Sequence, residues 1–525
     1  MKKGLSMSCR INQLNKKTNV TYVYESMSYW DKEKKQARNK KTCVGKLDSN
    51  GVFIPSARLK PEQAAVRDPV VTASAEVVGP HIILDTITNQ LGLRKLLKSC
   101  FPQQYQQILM MAYYLTSTGE SLSHCETWCK SHAPSFSSSL ASQRISEILQ
   151  SISIDEKQTF LSKWMKAVLE DDYLCYDITS ISSYSELNEY IKYGHNRDKE
   201  KLPQLNLGVL FGQKGRLPVY YERTPGNITD VSTLHTLLKN FKALEVKSLH
   251  YIMDKGFYSK KNIDELVASK SKFVVSVPLN NKWVQHAIDD IYQSIHGPDG
   301  YRKLDGEVIY VHSRLYPWEP SKRRCYLHLY YNARARAKAV DQFNEELMGY
   351  KQELESEKLV SKHQKAYDAY FVVKVSPKRG RKVTYNGEAI SQYISRYAGF
   401  QVLLSNGIKD PLEALQIYRD KDVVEKCFDD LKNQLDMKRL RMHSSATVDG
   451  RLFVQFIALI YISALRKEMR KSDLIERYTV RELIQEMNTL TKIKYSGKYG
   501  NILTEVTKPQ REILQCLNIE LPGKT

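Results

Sequence analysis

Between residues 173 and 277 short apolar runs alternate with turn residues, the pattern of successive buried strands. Residues 173–181, 205–211 and 217–222 read as three strands, with Gln213-Lys-Gly-Arg216 as a four-residue hairpin loop and Gly215 expected at its left-handed position. Thr229-Asp230 caps a helix through Leu238, and residues 249–254 form a fourth strand that turns through Lys255-Gly256-Phe257 into another helix. A fifth strand follows at 272–277. Upstream, residues 20–55 hold two β-like runs around Tyr22 and Val44, separated by a basic stretch at 31–41 expected on a hairpin tip or loop. Residues 80–132 change to helical spacing, with Ile83, Ile87, Leu93 and Leu97 as anchors, and a linker at 135–139 leads to a helix at about 154–170. Downstream, alternating runs at 308–316, 326–331, 371–375 and 383–385 predict a mostly β insertion interrupted by a charged helix at 340–359. Residues 399–405 return to the sheet, 418–432 form an amphipathic helix, 452–465 a buried helix that closes the core, and 471–525 a helical tail.

A chain of 525 residues exceeds one ordinary core. The expected division is an N-terminal region of small sheet and helices at 1–165, a first core segment at 166–279, a β-rich insertion at 280–398, a second core segment at 399–470 and a helical C-terminal region at 471–525.

Two carboxylates stand out. Asp177 is a single acid inside a buried strand, where an ionised group is costly unless paired, hydrogen-bonded or metal-bound. Asp254 ends the fourth strand, whereas Asp171 and Asp172 read as turn caps. At 100° per residue, Tyr418, Lys421, Glu425 and Lys432 share one face of a single helix. That face suits a metal ion beside a phosphodiester, with Glu425 on the metal and Lys421 and Lys432 on phosphate oxygens; a solvated helix with i,i+4 pairs would carry similar charges.

The spacing Tyr418-x2-Lys421-x3-Glu425-x6-Lys432 resembles the Tyr-Arg-Glu-Lys signature of a group of bacterial insertion-sequence transposases, except that Lys421 stands where the group has Arg. The segments at Asp177-Ile-Thr-Ser, Pro225-Gly-Asn227 and Asp254-Lys-Gly-Phe resemble the same group. The order strand, strand, strand, helix, strand, helix is that of an RNase H-like fold. The expected class is therefore α/β: an RNase H-like mixed-sheet catalytic core with a β-rich insertion, an N-terminal small-sheet and helical DNA-binding region and a helical C-terminus. The resemblance implies that Asp177, Asp254 and Glu425 form a catalytic and metal-binding Asp-Asp-Glu triad, with Tyr418, Lys421 and Lys432 holding the DNA terminus.

Three clustered carboxylates repel one another by about 4 kcal/mol per pair at 4 Å and an effective dielectric of 20, so they require cations. Oxygen-only ligands favour two Mg²⁺ ions, with Mn²⁺ able to substitute. The resemblance implies a cut-and-paste enzyme that binds terminal inverted repeats, cleaves the ends, passes through a hairpin, joins 3′ hydroxyls to target DNA and pairs two protomers on the DNA. Two alternatives stay open: a catalytically silent DNA-binding descendant, and a structure-selective nuclease on the same fold.

Charge agrees with a polyanionic partner. The chain carries 79 basic against 58 acidic residues, net +21, and residues 1–60 hold 14 basic against 4 acidic ones. Lys34, Lys35, Arg38, Lys40 and Lys41 are expected to contact DNA phosphates, as are Arg439 and Arg441 after the Glu425 helix. Pro377 to Lys382, with Lys378, Arg379, Arg381 and Lys382, resembles the core of an AT-hook, which implies phosphate or minor-groove contacts. His124, Cys125, Cys129 and His132 invite a zinc reading, but all four lie on two turns of one helix, which reads better as half-buried thiols. Nine irregularly spaced cysteines suit reduced thiols, and no apolar run has signal-peptide form or bilayer length, so a cytoplasmic protein without a membrane partner is expected, and the resemblance implies a bacterial, nucleoid-associated one.

Overall fold

The computed structural model describes residues 8–31, 34–56, 73–132, 140–169, 172–185, 188–243, 249–376, 380–441, 444–495 and 500–521. It divides into two compact units, residues 1–74 with 493–501, and residues 75–492 with 502–525.

The first unit is built on an antiparallel sheet of Ser8–Asn15, Val20–Asp31, Gln36–Leu47 and Phe53–Pro55 in sequential order. The basic stretch expected on a hairpin tip or loop does lie on a hairpin, but its described residues are mostly in the strands. Arg38 pairs with Tyr29 and Lys40 with Met27, and the ladder runs on to Asp31 with Gln36; Lys34 and Lys35 lie in the turn before Gln36, where Lys35 takes a left-handed φ of 46°. Period-2 alternation explains this: polar side chains facing solvent are as compatible with a strand as with a loop. Lys34, Lys35, Arg38, Lys40 and Lys41 are all exposed.

The second unit is organised by one mixed sheet. Its path runs Tyr301–Leu304, Glu307–Trp318, Arg323–Tyr331, Phe400–Ser405, Lys272–Ser276, His250–Met253, Tyr173–Ser183, Gln204–Gly212 and Pro218–Pro225. Tyr173–Ser183 runs antiparallel to Gln204–Gly212 and parallel to His250–Met253, which is parallel in turn to Lys272–Ser276. In the hairpin loop the left-handed residue is Arg216, with φ 52°, and not Gly215. Gly215 instead donates its N–H to Asp172, which also accepts from Lys214, so Asp172 does cap this turn.

The insertion is less separate and less β than its pattern suggests. Three of its strands extend the main sheet through Arg323–Tyr331, which pairs with Phe400–Ser405. The remainder is a long helix Ala333–Glu355, a short helix Gln364–Tyr370 and a hairpin of Phe371–Ser376 with Gly380–Tyr385, gathered on a small core of Phe343, Leu347, Leu354, Tyr367, Phe371 and Val383. Alternation along 308–331 identifies strands but not their neighbours, because pairing partners lie at long range.

Helices Gly79–Gln90, Leu93–Cys100, Tyr105–Thr118, Ser142–Ser151 and Ile154–Val168 share one apolar core with the sheet. Through that core runs Ser445–Lys471, which is long and apolar enough to cross a membrane, yet its apolar window is entirely buried here. The tail is helical at Val480–Met487 and Lys508–Cys516, but it also contains the strands Thr491–Tyr495 and Asn501–Leu503, which a wholly helical reading missed.

Candidate active site

Parallel pairing places the two aspartates side by side. Tyr176 is in register with Met253, so Asp177 and Asp254 each lie one residue beyond that pair, on strands whose spacing is about 4.8 Å. On this flank of Tyr173–Ser183 the pairing stops at Tyr176 and resumes at Ser182 with Arg439. The gap between opens a crevice where the parallel strands end, the position at which sheets of this kind take ligands.

Asp177 accepts one hydrogen bond, from its neighbour's Ile178 N–H at 2.8 Å. Burial raises its pKa to about 6, against the lowering influence of that N–H, Arg197 and Lys421. Asp254 caps a short 3₁₀ turn: its Oδ1 accepts from the Lys255 N–H at 2.8 Å and from the Tyr418 hydroxyl at 2.7 Å. Burial pushes Asp254 up too, but Lys421, Tyr418 and Lys255 together bring it below the ordinary carboxylate value. Equal chemistry thus gives two different acids, one reluctant to ionise and one held ionised.

The stretch 418–432 is not one helix. Pro411–Arg419 ends at Asp420, Asp422–Asp429 begins after Lys421, and 430–434 closes in a π-helical turn. At the junction Lys421 N–H bonds the Tyr418 carbonyl and Val424 N–H the Lys421 carbonyl, three-residue spacings that tighten the chain. The Asp420 carboxylate accepts from Gln213 at 2.6 Å and from Gln416 at 3.2 Å, which tethers the junction to the hairpin loop. Across the break Tyr418 stays beside Lys421, whose ammonium lies 5.7 Å from its ring centroid, and both reach Asp254. Tyr418 is buried, and burial together with Asp254 raises its hydroxyl pKa.

Lys421 is the cation among the acids. Its Nζ donates to Glu425 Oε1 at 2.8 Å and lies 4.0 Å from Asp254 Oδ2. Glu425 is about half exposed and turned towards this ammonium. Among the described residues no three His, Cys, Asp or Glu side chains gather closely enough to hold a metal. Asp177 and Asp254 are brought together, and Glu425 is linked to Asp254 only through Lys421. In donor chemistry the set fits a hard divalent cation: the candidate ligands are all carboxylate oxygens, and burial leaves Asp177 short of positive charge.

The remaining expected contacts are dispersed. Lys432 donates to both oxygens of Asp198, at 2.8 and 2.7 Å. Arg439 binds Glu200 at 2.8 Å and lies over the Tyr184 ring, while Arg441 is exposed. Arg381 pairs with Glu357 at 3.3 Å and Lys382 is exposed on the same hairpin; Lys378 and Arg379 lie outside the described residues. In the helix Cys125–His132 the two thiols are 3.9 Å apart, His132 stacks on Trp128 and burial lowers its pKa to about 4, while His124 faces Glu120. All nine cysteines are free.

Sequence reasoning missed Arg197, Asp198 and Glu200. Arg197 binds Asp230 at 2.7 Å and its charge reaches Asp177. The signal was present as a charged run at 197–201 between the first two strands, in a segment whose lack of periodicity gave no reason to place it at the site.

Residues 169–461 match the family described as Transposase DDE domain. No curated protein matches the chain. Among solved structures, the cryo-EM structure of the piggyBac transposase synaptic complex with hairpin DNA aligns at 10% identity over 77% of this chain and 70% of that one, with a TM-score of 0.34.

Proposed function

Because this chain belongs to the Transposase DDE domain family, we propose that it is a DNA transposase of the bacterial insertion-sequence type, with Asp177, Asp254 and Glu425 as its metal-binding and catalytic carboxylates. Its substrates are the element's terminal inverted repeats and target DNA, and the reaction is strand cleavage followed by transfer of the 3′ hydroxyl, through a hairpin at the excised end. The observation that carries the site assignment is the juxtaposition of Asp177 and Asp254 on neighbouring parallel strands, with Lys421 between Asp254 and Glu425. The strand order of 173–276, two antiparallel and two parallel neighbours in succession, supports an RNase H-like core.

Bound divalent ions, Mg²⁺ or Mn²⁺, would activate water and stabilise the leaving oxygen. The protein's own groups prepare for this. Tyr418 and Lys255 occupy Asp254 Oδ1, which fixes the carboxylate and leaves Oδ2 directed at Lys421. Lys421 offers its ammonium to Glu425 in the free protein and to a phosphate oxygen when DNA arrives. Lys432, held by Asp198, and Arg439, held by Glu200, have the same exchange of carboxylate for phosphate open to them. Cytoplasmic action on the nucleoid, as a dimer on DNA, completes the reading.

The test is Mg²⁺-dependent cleavage of a duplex carrying the terminal repeat, with wild type beside Glu425→Gln, Asp177→Asn and Asp254→Asn. The expected result is end-specific cleavage by the wild type alone, with duplex binding kept by all four proteins. Binding without cleavage by any of them would favour a silent DNA-binding descendant.

A further inference from the structure

Outside the carboxylate site, Arg451 is a charge without a partner. It lies in the second turn of Ser445–Lys471, is 4% exposed, and among the described residues makes no hydrogen bond or ion pair. Asp436 acts on it only through space, and burial lowers its pKa to about 10. Other cations drawn into the same unit are paired: buried Lys157 and half-buried Arg223 with Asp449, and half-buried Arg466 with Asp430. A guanidinium has five N–H donors, and those of Arg451 meet no protein acceptor among the described residues, which leaves them open to a ligand in the space beside them.

Arg451 lines a cavity of about 220 Å³, walled also by Ser123, Ser142, Ser146, Thr447 and the exposed Arg441, with Asp436 and the Glu200-bound Arg439 on its wall. Hydroxyl-bearing residues beside Arg451 and Arg441, the two arginines of this wall without an ion pair among the described residues, form a set matched to a tetrahedral oxyanion. Beside the cavity Gly450 brings Ser445–Lys471 so near Ser142–Ser151 that an added Cβ would lie 2.1 Å from the carbonyl oxygen of Leu149, a residue of the cavity wall. Its position relative to the acids follows from the sheet. Leu440, also on the cavity wall, is in register with Ser183, six residues along the strand from Asp177. That is about 20 Å at 3.3 Å per residue, or about six base-pair steps of duplex.

We infer that the Arg451 cavity receives a phosphate group of the DNA engaged at the Asp177–Asp254 site, with Arg451 and Arg441 donating to its oxygens. This rests on the transposase reading above. It makes Arg451 a DNA-binding residue hidden in a helix otherwise given to the core.

The test uses the full chain as wild type, Arg451→Met and Ser142→Asp. Ser142 is exposed in the first turn of its helix, where an acid suits the helix dipole, so Ser142→Asp keeps the fold even where Arg451→Met does not. Affinity for the terminal-repeat duplex is measured across a salt series, and melting is followed in inorganic phosphate against chloride at equal ionic strength. Expected are a loss of about threefold or more in duplex affinity for folded variants, a salt slope smaller by about 0.9, and stabilisation by phosphate in the wild type only. Variants that bind the duplex with wild-type affinity and slope overturn the inference alone; if phosphate still stabilises only the wild type, the cavity holds an adventitious ion only. A wild type that binds no duplex overturns the transposase reading and this inference with it.

Discussion

Asp177 pays for its position. Its usual pKa of 3.8 is raised to about 6 by burial, so between those values the unfolded chain gives up a proton that the folded one keeps. Stability from this residue is fully present below about pH 4 and is lost as pH rises through about 6. Two units correspond to about 3 kcal/mol as an upper bound. In the metal-free protein, Asp177→Asn should therefore raise stability by about 1 to 3 kcal/mol at pH 8 and by nothing at pH 4, as read by urea unfolding in EDTA. A variant equally stabilised at both pH values would show that the pKa is not raised, and one destabilised at pH 8 that the ionised carboxylate has a favourable partner. Legibility at this scale followed isolation. One acid in an apolar strand is conspicuous in sequence, and so was Asp177; Arg451 stands one residue before the apolar run at 452–465, where a basic residue at the edge of a helix draws no attention.

At the level of elements, periodicity located the five strands from 173 to 276 and the helices around them to within a few residues. It did not locate the break at 420–421, because no Gly or Pro marks it; the break depends on Gln213 reaching across to Asp420, a contact between residues far apart in sequence. Nor could it show how closely Ser445–Lys471 packs on Ser142–Ser151. Gly450 is the residue that permits this, and in sequence it is only a glycine in a helical run. Gly450→Ala should force the two helices apart and destabilise the protein by a net of about 1 to 2 kcal/mol, after the roughly 0.5 to 1 kcal/mol that alanine's better helix propensity returns. Thermal or chemical unfolding measures it. A neutral or stabilised Gly450→Ala would mean that the helix pair yields at this point, and the cavity beside it with them.

For the whole molecule, the chain's excess of positive charge predicts binding to a polyanion but does not say where. The structure separates two kinds of basic surface. In the second unit Lys421, Lys432, Arg439 and Arg381 all begin in ion pairs with acids, so phosphate must displace a carboxylate and the net gain per contact is small. In the first unit Lys34, Lys35, Lys40 and Lys41 are exposed and Arg38 is 3.6 Å from Asp31, a loose pair. Free surface cations release counterions when DNA binds, each adding about 0.9 to the slope of log affinity against log salt. Changing Lys34, Lys35, Arg38, Lys40 and Lys41 together to Gln should therefore lower that slope by about 3 to 4 and weaken duplex binding by orders of magnitude near physiological salt. Melting temperature and the metal dependence of cleavage at saturating DNA should hardly move, since these side chains are solvated and belong to a different unit from the carboxylates. A salt slope unchanged by the five substitutions would transfer the DNA-binding charge to the second unit, where its cost in broken ion pairs would have to be met by contacts at the carboxylate site itself.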